Sequence, residues 1–248
     1  LKFFKKYIVD SQLYVSLMAT MLTSFFLVEQ VSFRWPLIII IFLTYINGYL
    51  YTKYQQVKKK IFYILIINAI TFCICSVFII INHHAEVFLR WMVIIVLGLL
   101  YDNSFLSTWI RKLPFVKIFY VGLVWGLTNA WLITETFQWE VFLMTLFFVS
   151  ALIIPFDIRD MNYDTVITFP IAFGINNSKI IAYVLSLIAL GFAYFAVTET
   201  LFYAFAITIA ITFIFIYFSQ PYRPDLYYSF GIESLSGLPL VLYFILNL

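Results

Sequence analysis

The sequence predicts an all-α polytopic membrane protein, and three observations carry that prediction. Hydrophobic residues make up 64% of the 248 residues and charged ones 11%, with a mean hydropathy of +1.01. A soluble domain carries about 25% charged residues, so this chain lacks the charge to cover a water-facing surface. The apolar residues also form long continuous runs rather than short alternating ones, which argues against an outer-membrane barrel. Finally, polar breaks cut the chain into nine runs of roughly bilayer length. A net charge of only +3 gives nucleic acid nothing to bind.

Taken in order, the nine runs cover approximately 8–30, 36–53, 61–82, 87–102, 118–134, 141–157, 180–197, 200–218 and 231–247. Each approaches the roughly 17–25 residues that a helix needs to span a bilayer. The first run is broken by Asp10 and Gln12 and lacks a small-residue cleavage site, so it reads as a retained helix rather than a signal peptide. Cys73 and Cys75 lie within the third run and read as small buried hydrophobes. His83 and His84 fall in the connection after it, as solvated interfacial residues.

The charges orient these nine helices. With the N-terminus cytoplasmic, the inner segments are 1–7, 54–60, 103–117, 158–179 and 219–230. In or beside them lie Lys2, Lys5, Lys6, Lys53, Lys58, Lys59, Lys60, Arg111, Lys112, Lys117, Arg159, Lys179 and Arg223, leaving only Arg34 and Arg90 outside. This sorting predicts an N-in, C-out topology. One missed helix would scramble it. The outer connections are short, whereas most inner ones are longer and carry Asp102, Asp157, Asp160, Asp164 and Asp225. Chemistry is therefore expected at the cytoplasmic face.

Two stretches at that face stand out. In Asp157-Ile158-Arg159-Asp160-Met161-Asn162-Tyr163-Asp164, three carboxylates recur at i, i+3 and i+7. On a continuous helix all three share one face. Their mutual repulsion leaves two readings open: a solvated acidic helix end with Arg159 as partial compensation, or ligands for a hard cation such as Mg²⁺. The second stretch runs from Tyr101-Asp102-Asn103 to Arg111, Lys112, Pro114 and Lys117. Its three cations suit either an anionic head group or ordinary positive-inside anchoring. Asp10 and Glu233, near the inner ends of the first and last runs, are ionisable groups that a membrane tolerates where they pair. Asn68, Thr128 and Asn129 are expected to find partners across helices.

The stretch Asp157 to Gly174, DIRDMNYDTVITFPIAFG, resembles the second Asp-rich motif of the UbiA superfamily of intramembrane prenyltransferases, with Thr168, Pro170 and Gly174 matching its tail. The region from Tyr101 through Arg111, Lys112, Pro114 and Lys117 to Trp125 is similar to that family's segment between its fourth and fifth helices. The resemblance covers nearly the whole chain. It implies one transmembrane domain over 1–248, a UbiA-like bundle of nine helices, with two pseudo-half-sites around 47–60 and 157–179. It further implies transfer of an isoprenyl group from a prenyl diphosphate to an acceptor whose identity the sequence leaves open. Asp157, Asp160 and Asp164 would bind Mg²⁺, and Asn47 would orient the diphosphate or a metal-bound water. Tyr101, Arg111, Lys112 and Lys117 would contact substrate.

The other half-site departs from the family pattern. The first motif ordinarily supplies three further Asp. Here the stretch reads Asn47-Gly48-Tyr49-Leu50-Tyr51-Thr52-Lys53-Tyr54-Gln55, with Gly48, Tyr51 and Gln55 at the acidic positions. Lys53 and Lys58 to Lys60 stand close enough in sequence to contact diphosphate without metal. The departure keeps a second function open, that of a catalytically impaired relative which binds an isoprenoid or a partner protein. A small transporter is disfavoured, since the charges gather at one face and no paired broken helices mark a midplane site. The expected setting is a bacterial-type inner membrane with the active face cytoplasmic. Among the aromatics, 29 Phe and 18 Tyr, a fraction is expected to line an isoprenoid channel.

Overall fold

The computed structural model describes residues 11–28, 35–55, 57–82, 85–101, 115–164 and 167–248. Asp10, His83, His84, Asp102, Arg111 and Lys112 lie outside them, and only the helical backbone of Lys58 is described. Among the described residues the chain is all-helical, with nine helical segments in chain order. These are α1 (Leu13–Leu27), α2 (Trp35–Tyr54), α3 (Lys58–Asn82), α4 (Ala85–Leu100), α5 (Val116–Leu127, continued by a π turn Thr128–Leu132), α6 (Trp139–Asp160), α7 (Phe169–Ala196), α8 (Glu199–Phe218) and α9 (Glu233–Leu246, preceded by a π turn Tyr227–Ile232). Among the described residues six are long and apolar enough to cross a membrane: α2, α3, α6, α7, α8 and α9 with its π turn. An integral multi-pass membrane protein is built this way.

Packing makes α6 the axis of the bundle. Within it, 67% of the most apolar stretch is buried, against 17–39% for the other five long helices. α5 and α7 flank it, while α8, α9, α1 and α2 continue the circuit and α3 and α4 close it against α2 and α5. The core runs through Phe25, Trp91, Phe148, Phe205 and Tyr228. A second cluster, including Ile118, Ile154, Ile158, Phe169 and Ile216, sits under the acidic end of α6. α3 turns Phe62, Tyr63, Ile80 and Ile81 outward. Such a wide apolar surface belongs in lipid.

Small residues decide how closely α5 and α6 approach. A Cβ added to Gly122 would lie 2.6 Å from the Leu146 carbonyl oxygen and 2.7 Å from Ser150 Oγ. One added to Gly126 would meet the Phe142 ring at 2.9 Å. The G-x-x-x-G spacing thus seats α5 on α6, the usual device where both surfaces are as apolar as the lipid. Ser150 Oγ adds a hydrogen bond of 3.2 Å to the Ile118 carbonyl.

The seventh helix starts earlier than its apolar run suggests. The run was expected from 180, but helix begins at Phe169, after the extended Thr168 and with Pro170 in its first turn. Pro is at home there because its missing N–H has no helical partner anyway. At Gly174 the backbone breaks, with φ 78° and ψ 166°, a region essentially reserved for glycine. The orphaned carbonyls find side-chain donors: Ser178 Oγ donates to Gly174 O at 2.8 Å and Asn177 Nδ2 to Phe173 O at 3.0 Å. The short first turn stacks on the start of α5, with Phe115 and Phe169 ring centroids 4.2 Å apart.

Candidate functional site

The three acidic positions of the second motif do not stay on one helical stripe. α6 ends at Asp160, whose carbonyl accepts from both Tyr163 N (2.8 Å) and Asp164 N (2.9 Å), so the chain turns away before Asp164. A helix C-terminus carries partial negative charge, which adds to the repulsion among the carboxylates. Protein cations answer it. Lys117, from the first turn of α5, donates to Asp157 Oδ1 at 2.8 Å and stands 3.7 Å from Asp164 Oδ2. Asp160 faces elsewhere: Arg159 Nε and Nη2 reach its two carboxylate oxygens at 2.7 and 2.8 Å. The guanidinium lies over the Phe156 ring at 5.4 Å and the Tyr228 ring at 5.6 Å.

A polar cavity of about 620 Å³ opens beside this network. Its charged lining is Lys53, Arg159 and Arg223 against Asp160, Asp225 and Glu233. The ends of α2 and α6 and the connection after α8 thus meet at one end of the bundle. Tyr228 holds that connection in place, its hydroxyl donating to Gln220 O at 2.6 Å and accepting from Gln220 N at 3.0 Å. Lys53 shares this cavity with Asp160, as the sorting of basic residues to one face anticipated.

Three of the remaining first-motif positions face a different space, while Gln55 lines neither cavity. Asn47, Gly48 and Tyr51 line an apolar cavity of about 510 Å³ among α2, α3, α4 and α5, together with the candidate Tyr101. Its wall is aromatic, including Tyr45, Phe72, Trp91, Tyr120 and Trp125. Such a volume falls within the roughly 300–1,000 Å³ of small-molecule sites. α2 serves both spaces on consecutive residues, Thr52 lining the apolar cavity and Lys53 the polar one.

No protein-family model, curated protein or solved structure matches this chain. Its chemistry therefore comes from its own geometry. The aromatic cavity and the polar vestibule adjoin at consecutive residues of α2, Thr52 and Lys53.

The metal reading can be tested on the donor set. Mg²⁺ demands near-octahedral oxygen ligands at about 2.0–2.1 Å. Among the described residues no group of three or more His, Cys, Asp or Glu converges as a metal site. Asp157 and Asp164 share an ammonium, and both oxygens of Asp160 belong to Arg159. As folded, these side chains do not fit a Mg²⁺ centre. Asp10, Arg111 and Lys112 lie outside the described residues, while Glu233 lines the vestibule. Of the intramembrane amides, Asn129 Oδ1 accepts from Thr23 Oγ1 at 2.7 Å across α1 and α5, while Thr128 bonds Val124 O within α5. Asn68 Oδ1 has no hydrogen-bond partner and belongs to a residue that lines the apolar cavity.

The sequence reasoning passed over three contributors. Arg223 enters the vestibule with no motif to mark it. Gly122 and Gly126 carried a legible G-x-x-x-G signal. Arg90, one of two cations on the wrong side of the charge sorting, donates to Trp131 O, Thr134 O and Glu135 O at 3.0, 2.6 and 2.9 Å, closing the far end of α5.

Proposed function

We propose that this chain is a UbiA-like intramembrane protein that takes a prenyl diphosphate, its nine helices crossing a bacterial-type inner membrane N-in and C-out with the vestibule cytoplasmic. One observation carries this reading: the neighbours Thr52 and Lys53 line, respectively, an aromatic cavity and a polar vestibule in which Lys53, Arg159 and Arg223 stand among Asp160, Asp225 and Glu233. The isoprenoid tail lies in the first, where burial is worth about 0.8 kcal/mol per CH₂. The diphosphate lies in the second, against Lys53, Arg159 and Arg223, with Arg111 and Lys112 as further candidates from the connection before α5. In transfer, the allylic C–O bond breaks and the electron pair leaves with the diphosphate, whose growing charge those cations stabilise. The aromatic faces shield the allylic cation until the acceptor's nucleophile attacks its C1 and loses a proton. No step here is routed through metal, because the acidic side chains are held by Lys117 and Arg159.

The test uses the protein in nanodiscs with farnesyl diphosphate and its unreactive thiolo analogue. Saturable analogue binding that a fully saturated hydrocarbon alcohol of equal length does not match supports the reading. Equal affinity for the two would sink it. A second reading, binding without turnover, is favoured by Gly48, Tyr51 and Gln55, which cannot supply carboxylates opposite the second motif. Diphosphate release from farnesyl diphosphate separates the two.

A further inference from the structure

The acidic motif brings its own cation. We infer that Lys117 is the resident counter-ion of Asp157 and Asp164, standing where a divalent ion would have to stand, so that the vestibule takes its anionic ligand without Mg²⁺. The second half of that statement rests on the proposed function, whereas the first does not.

Five observations converge on it. Asp157 is 1% exposed, so its carboxylate has no access to water and its charge must be met within the protein. Lys117 Nζ meets it at 2.8 Å and faces Asp164 at 3.7 Å, so one ammonium lies within ion-pair range of both carboxylates. The placement is built in: the close seating of Gly122 and Gly126 on α6 fixes the first turn of α5 beside Asp157. The third carboxylate is committed as well, since Arg159 binds Asp160 through two nitrogens and itself lies against the Phe156 and Tyr228 rings. On the opposite side, Gly48 and Tyr51 belong to the apolar cavity, so no second set of carboxylates faces the first.

A divalent ion between Asp157 and Asp164 would lie against the Lys117 ammonium and would have to expel it. An isolated carboxylate pair offers a metal two negative charges, whereas a pair that already holds an ammonium offers one. Two protein cations against three carboxylates also leave the motif only one negative charge in excess. Lys53, Arg159 and Arg223 line the vestibule together with Asp160, Asp225 and Glu233, so an anion entering it meets protein cations among acidic side chains.

Mn²⁺ serves as the metal probe, read by the loss of its free-ion EPR signal, with the whole protein in nanodiscs. Wild type is expected to leave the signal unchanged. Lys117→Met, which keeps the bulk and removes the charge, is expected to gain Mn²⁺ affinity by about tenfold or more, while Lys117→Arg is not. Stoichiometric Mn²⁺ binding by wild type, lost in Asp157→Asn, would overturn the inference. If Lys117→Met fails to fold, the wild-type measurement still decides, and Lys117→Met/Asp157→Asn supplies a neutral pair as control. Binding of the farnesyl thiolo-diphosphate is expected to be the same in EDTA and in Mg²⁺. Dependence on Mg²⁺ would overturn the metal-free half. If no analogue binds under either condition, the proposed function falls, and the Mn²⁺ result still stands or falls separately for Lys117.

Discussion

The two stretches expected to face one another as half-sites, 47–60 and 157–179, have been solved in opposite ways. The later one is a dense ionic network in which Asp157, Asp160 and Asp164 are each met by Lys117 or Arg159. The earlier one is largely apolar: Asn47, Gly48 and Tyr51 line an aromatic cavity, and only Lys53 reaches the vestibule. The contrast teaches that the carboxylates of the later stretch are answered by protein cations and not by acidic residues of the earlier one. With no acidic partner across the cavity, a metal bridging both sides has nothing to hold on one of them. The other side has closed on protein cations instead.

The largest expected effect breaks the ionic side. Lys117→Met leaves Asp157 buried and uncompensated, which typically costs about 3–5 kcal/mol. Thermal unfolding in detergent should show the loss, and Asp157→Asn in the same chain should recover most of it. A variant as stable as wild type would mean that the pair contributes nothing.

The next two changes act on the backbone beneath that network. Gly122→Ala forces a Cβ toward the Leu146 carbonyl, and overpacking of this kind costs about 1–3 kcal/mol. It should also pry α5 from α6, so that cysteine cross-linking between their acidic ends weakens along with stability. Gly174→Ala meets no neighbour, yet its φ of 78° and ψ of 166° cost an L-residue about 1–3 kcal/mol. Because space is open there, Gly174→Ala and Gly174→Leu should destabilise alike in chemical denaturation. A much larger loss for Leu would mean that packing, not backbone conformation, selects the glycine.

The smallest effect sharpens the apolar side. Lys53→Gln should leave stability unchanged and lower farnesyl thiolo-diphosphate affinity about tenfold, the loss of a charged hydrogen bond worth roughly 1.5 kcal/mol. Isothermal titration measures it. Unchanged affinity would remove Lys53 from the head-group site.

Much of the helical layout was legible because apolar runs between charged breaks are a strong signal. The nine expected runs match nine helical segments in order among the described residues, six of them long and apolar enough to cross a membrane, and Lys53 lies with Arg159 and Asp160 at one end of the bundle. The seventh helix was misjudged by eleven residues at its start because Asn176, Asn177, Ser178 and Lys179 interrupt the apolar run without interrupting the helix. Spacing within a motif gives the direction of a side chain on its own helix, not the partner that another helix brings. Asp157, Asp160 and Asp164 at i, i+3 and i+7 read as one stripe. Their separation into two pairs depends on Lys117, forty residues away, and on a chain turn after Asp160 that no periodicity announces. The apolar cavity was legible only as an excess of aromatics, since its wall draws on four helices.

Arg90 has a consequence for how α4 and α5 depend on one another. Its guanidinium donates to three carbonyls where α5 ends. On its own, α4 would leave Arg90 only its 3.4 Å contact with Glu86, and the Trp131, Thr134 and Glu135 carbonyls would lose their side-chain donor. Each defect is expensive in hydrocarbon and each repairs the other. Each helix thus depends on the other to satisfy its polar groups, so α4 and α5 are complete as a joined pair rather than as solitary segments.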